Sequence, residues 1–309
     1  MKKKENKDFR SGCVSIVGRP NVGESTLLNA MVGEKVAIVS NIPQTTRSQI
    51  RGIYSEPRGQ IVFIDTPGLV RGKDKLDEMM KQSSFGTIDE ADCVIHVVDA
   101  NKTLGEEEQM IIEKVSHLKA PLILVLNKID MKGTCVPEYL SFYQEKLGDT
   151  FQDAKKFVLL PVSATRETNV PKLIDLIFER LPLGEALYPQ DVVSDVPEKI
   201  MIADIIREKL LGLMRQEVPY ALAVNVDQIK RRRNKLTYIF ASIFVEHESQ
   251  KEIVIGKKGH ILKEVGVAAR AEIESLLDRR IFLEMHVKVE KNWRDNLSLL
   301  QDLGYAQGL

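Results

Sequence analysis

Gly18-Arg19-Pro20-Asn21-Val22-Gly23-Glu24-Ser25 follows directly on an apolar run, 13–17, and opens a helical pattern at about 24–32. Two glycines separated by four residues let backbone N–H groups curl around a phosphate. The helix that follows turns the positive end of its dipole toward the same anion. Seven of the eight positions fit G-x-x-x-x-G-K-[ST]. The exception is Glu24, where the pattern needs Lys. Taken in isolation a Gly-x4-Gly match is weak, and an ordinary turn reads it equally well.

Its surroundings decide the matter. Runs 13–17, 61–64, 93–98, 122–126 and 157–162 are apolar throughout, as strands buried on both faces are. Amphipathic stretches near 24–32, 73–91, 106–119, 137–147 and 169–180 alternate with them. That alternation predicts an α/β domain, a mainly parallel sheet with helices on both faces, whose ligands bind beyond the carboxyl ends of the strands. Three further motifs stand at such ends. Asp65-Thr66-Pro67-Gly68 offers a carboxylate that can hold Mg²⁺ and a Gly68 N–H that can meet a γ-phosphate. In Asn127-Lys128-Ile129-Asp130, Asp130 can accept from guanine N1–H and N2–H₂, a donor pair adenine lacks. Ser163-Ala164-Thr165 brings a backbone N–H that could reach guanine O6. Four motifs in this order, each closing its own strand, point to a guanine-nucleotide site.

The pattern changes at 181–197, where Pro182, Gly184, Pro189 and Pro197 punctuate a stretch with little periodicity. Beyond this expected linker come a helix (about 199–215), two strand-like runs (221–229 and 236–245), a Gly-Lys-Lys-Gly turn, a helix (about 260–278) and a strand (281–289). This is a small α+β domain. Its Gly256-Lys257-Lys258-Gly259 loop, preceded by an apolar strand-like pattern, lets a nucleic-acid backbone approach two glycines while two lysines face the phosphates. GxxG alone is common; the elements around it make the α-β-β-α-α-β order of a KH domain the better reading. The run Lys230-Arg231-Arg232-Arg233-Asn234-Lys235 reads as a solvated hairpin tip, with a phosphate contact as its second reading.

Composition narrows the classes further. Lys plus Arg and Asp plus Glu each number 44, so no global polycation exists, and over 191–309 the counts are 19 against 18. Any attraction to RNA is therefore local. With 43% hydrophobic and 28% charged residues, wholesale disorder is excluded. No apolar run reaches the roughly 18 residues of a membrane span, and the basic N-terminus has no apolar signal core behind it. Cys13, Cys93 and Cys135 lack metal-ligand spacing and read as buried thiols, and His96 and His117 receive no role.

With Gln44-Thr45-Thr46-Arg47 added, the four motifs resemble the TrmE–Era–EngA-like GTPases, and the GxxG domain narrows the resemblance to the Era family. It implies an α/β P-loop GTPase domain at 11–181 behind a basic tail (1–10), a linker (182–198), a smaller type II KH domain (199–292) and a tail (293–309). GTP or GDP would be held by Gly18, Arg19, Pro20, Asn21, Val22, Gly23, Glu24, Ser25, Thr26, Asp65, Thr66, Pro67, Gly68, Asn127, Lys128, Asp130, Ser163 and Ala164. Ser25, Thr46 and Asp65 would hold Mg²⁺, and Asn21, Thr46 and Gly68 would serve hydrolysis. Thr45 and Thr46 both remain open as the switch ligand, with Thr46 preferred. Leu69 stands where many regulatory GTPases orient water with Gln. Asn21 matches a residue that helps coordinate K⁺ in relatives; its other reading is a loop residue with unusual backbone angles. The implied partners are the 3′ end of small-subunit (16S) ribosomal RNA, bound single-stranded at Gly256, Lys257, Lys258 and Gly259, and the small ribosomal subunit whose maturation the family assists. A monomer in the cytoplasm, peripheral at the inner face of the cell membrane, completes the implication.

Glu24 is what the resemblance leaves unexplained. A unit-charge pair at about 4 Å and a dielectric of about 20 is worth roughly 4 kcal/mol. Exchanging the expected lysine for a carboxylate therefore predicts many-fold weaker nucleotide binding. Because the other motifs are intact, the pattern favours an altered copy of a working GTPase. A nucleotide-independent RNA-binding assembly factor is the rival. A GTPase of tRNA modification or membrane iron transport would lack the GxxG domain.

Overall fold

In the computed structural model, which describes residues 8–40, 42, 45–67, 74–132, 136–215, 217–231 and 236–305, the apolar runs of the first half become strands. The elements are β1 (Arg10–Gly18), α1 (Glu24–Val32), β2 (Ile50–Glu56), β3 (Gly59–Asp65), α2 (Lys75–Glu90), β4 (Cys93–Asp99), α3 (Glu106–Ser116), β5 (Leu122–Asn127), α4 (Val136–Leu147), β6 (Phe157–Pro161) and α5 (Val170–Phe178). They form a six-stranded sheet ordered β2-β3-β1-β4-β5-β6, parallel except for β2. Strands β3, β4 and β5 are buried along their whole length, which is why they carry no alternation. Against one face Val94, Val98, Ile111, Ile112, Tyr139 and Tyr143 build a core with α3 and α4. Helix α1 packs on α5, β2 and β3.

The sheet is wound outward from β1, whose neighbours β3 and β4 lie on opposite sides. The loop after β1 therefore leaves at the topological switch point, where doubly wound sheets open a crevice. Strand β2 was not anticipated. It is an antiparallel edge, and its Arg51, Ser55 and Glu56 break the hydrophobic run that marks a central strand. The segment 182–195, expected as a linker, is hydrogen-bonded to this unit: Ile53 N donates to Val193 O, and Gln60 holds the backbone of Leu187 and Tyr188. Proline-rich chain that cannot form its own ladder can still cover an open edge.

The second unit comprises Ile38–Thr45, Arg71–Met79 and Val196–Leu309. Its main elements are α6 (Glu198–Leu213), α7 (Val218–Ala221), β7 (Ala223–Arg231), β8 (Thr237–Val245), α8 (Glu248–Ile255), α9 (His260–Leu277), β9 (Ile281–Val289) and α10 (Leu297–Asp302). The sheet runs β7-β8-β9, with β7 antiparallel and β9 parallel to β8. One sheet face packs on α6 and α9 through residues such as Ile202, Leu210, Ile239, Ile243, Val265 and Ile273. The apolar pattern before GxxG, expected as strand, is the end of helix α8. Ile253, Val254 and Ile255 are β-branched, which argued for a strand, but His247 and Gln250 form a capping box that starts a helix.

Residues 293–305, expected as a tail, fold onto this unit. Trp293 is fully buried and its Nε1–H donates to Ala221 O at 2.8 Å. Arg294 pairs with Asp74 at 2.5 Å and Asp77 at 3.1 Å, while Asp295 accepts from Lys75 N. Gln44, Gly68, Leu69, Cys135, the run 232–235 and the ends of both expected tails (1–7 and 306–309) lie outside the described residues.

Candidate functional site

The turn after β1 is shaped by what crosses it. A Cβ on Gly18 would come within 2.5 Å of Val97 O, and one on Gly23 within 2.4 Å of Asn127 Nδ2, at a φ of +100° that favours glycine. Asn21 also takes a positive φ, 68°. Val22 is buried; Arg19, Pro20 and Thr26 are half-buried. Asn127 Nδ2 donates to Val22 O at 2.8 Å, and its Oδ1 accepts from Ala164 N at 3.1 Å. Of the backbone N–H groups of 163–165, one of which was expected to reach guanine O6, that of Ala164 is engaged by Asn127. Lys128 Nζ bonds Asn21 O at 2.6 Å and Asp99 Oδ2 at 2.9 Å. Against the upward push of burial, Lys128 and Asn101 hold the Asp99 carboxyl below its usual value. Three segments far apart in sequence are thereby laced together by side chain to backbone bonds.

Asp130 is set by its neighbour. Ser163 Oγ donates to Asp130 Oδ1 at 2.6 Å, which keeps that carboxyl below the ordinary range and ionised. An ionised Asp is the acceptor that two guanine N–H donors need.

Beneath the loop three oxygens converge. Ser25 Oγ donates to Asp65 Oδ2 at 2.8 Å and lies 3.0 Å from Thr46 Oγ1. Asp65 is fully buried, and among the described residues its Oδ1 has no hydrogen-bond partner. Burial pushes its pKa up to about 7, opposed by the Ser25 hydrogen bond. Hydroxyl and carboxylate oxygens around an orphaned acceptor are the hard donor set that Mg²⁺ takes. The neighbouring Thr45 is engaged elsewhere: its hydroxyl donates to Ile42 O, and Arg207 donates to its carbonyl. Thr66 Oγ1 donates to Ile16 O, and Pro67 is buried.

Glu24 begins α1 in the middle of this constellation. It is buried, its Oε1 has no hydrogen-bond partner among the described residues, and that atom lies 3.3 Å from where a Gly18 Cβ would stand. Burial first, then Asp65 and Glu108, push its pKa well above the carboxylate range. Burial and the neighbouring carboxylates therefore oppose the full negative charge expected from the sequence at this position. What persists is the loss of an ammonium donor.

The sequence reading missed a network under the P-loop. Arg19 forms an ion pair with Glu108, which is completely buried. Glu108 also meets His96 Nε2 at 2.8 Å and the Tyr139 hydroxyl at 3.3 Å, and His96 Nδ1 lies 2.5 Å from the Tyr143 hydroxyl. A signal existed: His96 interrupts an otherwise apolar strand that is buried throughout, where a polar side chain requires partners.

In the second unit, Gly256 (φ 73°), Lys258 (φ 56°) and Gly259 (φ 75°) turn the chain between α8 and α9. A Cβ on Gly256 would fall 2.7 Å from the Ile261 side chain. Lys257 and Lys258 are exposed at the tip. Among the described residues no group of three or more His, Cys, Asp and Glu could hold a metal, and no helix is long and apolar enough to cross a membrane.

A family model described as a 50S ribosome-binding GTPase matches residues 13–128, and one described as a KH domain matches 217–294. GTPase Era of Halothermothrix orenii is 42% identical over 298 residues, covering 96% of this chain and 99% of its own. GTPase Era of Geobacter metallireducens is 46% identical over 301 residues, covering 96% and 98%. Two crystal structures superpose at 36% identity. Era in complex with MgGDPNP and nucleotides 1506–1542 of 16S ribosomal RNA has a TM-score of 0.89, covering 96% of this chain and 99% of its own. An alanine variant of Aquifex aeolicus Era bound to GDP and AlF4⁻ has 0.87, covering 96% and 100%.

Proposed function

Because the chain belongs to the Era family of GTPases, we propose that it binds and hydrolyses GTP and docks through its KH domain on the 3′ end of small-subunit ribosomal RNA, assisting maturation of that subunit. The observation that carries the nucleotide half is the lacing of the P-loop to Asn127, Lys128 and Ala164, with Asp130 ionised beside them. In this reading Asp130 selects guanine, and the backbone N–H groups of 18–25 cradle the phosphates. Ser25, Thr46 and Asp65 are the residues that would hold Mg²⁺, whose charge would offset that of the β- and γ-phosphates. Asn21, already turned to a positive φ, is the residue we assign to a K⁺ beside them. The protein works as a cytoplasmic monomer. Gly256 to Gly259 admit the RNA backbone, and a KH groove clamps about four unpaired nucleotides.

One observation favours a second reading. Glu24 places a buried acceptor, unpartnered among the described residues, where the family pattern supplies an ammonium donor. A chain that binds RNA without nucleotide would tolerate it. Calorimetric titration of GDP into this chain and into Glu24→Lys, at one Mg²⁺ and K⁺ concentration, separates the two. We expect Glu24→Lys to bind at least about tenfold more tightly, the worth of one charge-assisted hydrogen bond. Equal affinities would refute the assigned cost of Glu24. No binding by Glu24→Lys would refute the GTPase reading and leave the second.

A further inference from the structure

Among the described residues, α6 and α9 pack on one face of the β7-β8-β9 sheet, which has a second face opposite it. Along β8, Ile239, Ala241, Ile243 and Val245 are buried toward the helices, so Tyr238, Phe240 and Phe244 point the other way and are half-buried, with Ser242 fully buried between them. The register sets Tyr238 beside Phe282, Phe240 beside Glu284, Ser242 beside His286 and Phe244 beside Lys288. These side chains touch: Tyr238 and Phe282 are stacked, with centroids 6.1 Å apart and planes at 15°. His286 meets Phe240 edge-on at 5.0 Å. Lys288 Nζ lies 5.9 Å from the Phe240 centroid and 5.8 Å from that of Phe244. Phe282 is nevertheless 49% exposed. Phe282 is the exposed end of a cluster whose other rings are half-buried, and apolar ring surface grouped in this way marks a binding face.

Charge selects the occupant. The carboxylates on this face are occupied by its own donors: Glu284 accepts from the Tyr238 hydroxyl and faces His286, and Asp227 accepts from Ser242 and Asn225. The exposed cations Lys230, across β7 from Tyr238, and Lys288 stand beside the rings. Ring faces flanked by lysines suit unpaired bases and their phosphates. Strand β9 is also the open edge of the sheet, and α8, which leads into the GxxG loop, packs against it. An RNA strand that left the GxxG loop and crossed β9 would meet this face. The RNA spanning nucleotides 1506–1542 in the related Era complex is far longer than the about four nucleotides of a KH groove.

We propose that the open face of this sheet is a second single-stranded RNA surface, on which bases beyond those at the GxxG loop stack against Phe282 and Tyr238 while Lys288 meets a phosphate. The proposal rests on the RNA-binding reading of the KH domain. It is tested with the full-length chain by fluorescence anisotropy, using an unstructured tetranucleotide and an unstructured dodecamer. Phe282→Ala and Lys288→Glu should each weaken the dodecamer about tenfold and leave the tetramer unchanged, since one stacked base is worth a factor of that order. Phe282→Trp guards against misfolding: its exposed indole should be quenched by the dodecamer and not by the tetramer, Trp293 being buried. Unchanged dodecamer binding in Phe282→Ala, with no quenching in Phe282→Trp, overturns the proposal and leaves a protein as the occupant of this face. Equal losses for both RNAs also overturn it. If the unaltered chain binds neither RNA, the RNA-binding reading itself falls.

Discussion

Ser163 and Asp130 show how one hydroxyl can set a specificity. By donating to Oδ1 at 2.6 Å, Ser163 fixes the carboxylate and keeps it ionised. Guanine offers two donors to such an acceptor, whereas xanthine presents a carbonyl at position 2, which prefers an amide donor. Asp130→Asn, placed in a Glu24→Lys background where binding is strong, should therefore lose guanine affinity about a hundredfold or more and gain xanthine affinity. Competition between GDP and XDP for a fluorescent nucleotide measures it, and an unaltered preference would remove 127–130 from base recognition. The motifs that hold such residues stand out in the sequence because each sits where a strand ends. Partners were less legible. Nothing in the sequence says that Asn127 engages the N–H of Ala164, or that Thr46 rather than Thr45 approaches Ser25 and Asp65.

Strand β4 and helices α3 and α4 make a different kind of statement, because what they bury is polar. Arg19, His96 and Tyr139 converge on Glu108, with Tyr143 meeting the far nitrogen of His96, and truncating Glu108 leaves buried polar groups without it as a partner. Glu108→Ala should cost about 3–5 kcal/mol in urea unfolding at neutral pH. The pH dependence has a definite sign. Burial raises the Glu108 pKa, but the bonds from His96 and Arg19 outweigh it, and the folded value lies below the usual 4.5. A depressed acid stabilises the fold above its unfolded pKa and loses that contribution as pH falls through the folded one. Stability should therefore fall more steeply below about pH 4.5 in the natural chain than in Glu108→Gln. Parallel acid limbs for the two proteins would show that Glu108 is not anchored this way. At this scale β3, β4 and β5 were readable because complete burial leaves unbroken apolar runs. Strand β2 and helix α8 were not: an edge strand tolerates charge, and a β-branched run can end a helix once a capping box has begun it.

Across the whole molecule, two units with separate cores should fail separately. Replacing Lys257 and Lys258 together by Asp should abolish single-stranded RNA binding and leave GDP affinity within about twofold in a Glu24→Lys background. Substituting only one of the two lysines by Ala should lower the salt slope of log K by about 0.7, the value for one phosphate contact. Loss of both activities, with a lowered melting temperature, would signal misfolding instead. The two-unit plan was visible in the change of periodicity near 181, but the membership of each unit was not. Segments 182–195 and 293–305 carry few periodic cues because they are fixed by backbone bonds, a buried indole and one arginine. That arginine has a consequence in time. Asp74 and Arg294 are 220 positions apart. At roughly 5–20 residues per second, Asp74 is synthesised on the order of ten seconds or more before its partner exists. The chain at Asp74 thus spends most of translation without its ion pair, and acquires it only after nearly all of the second unit has emerged.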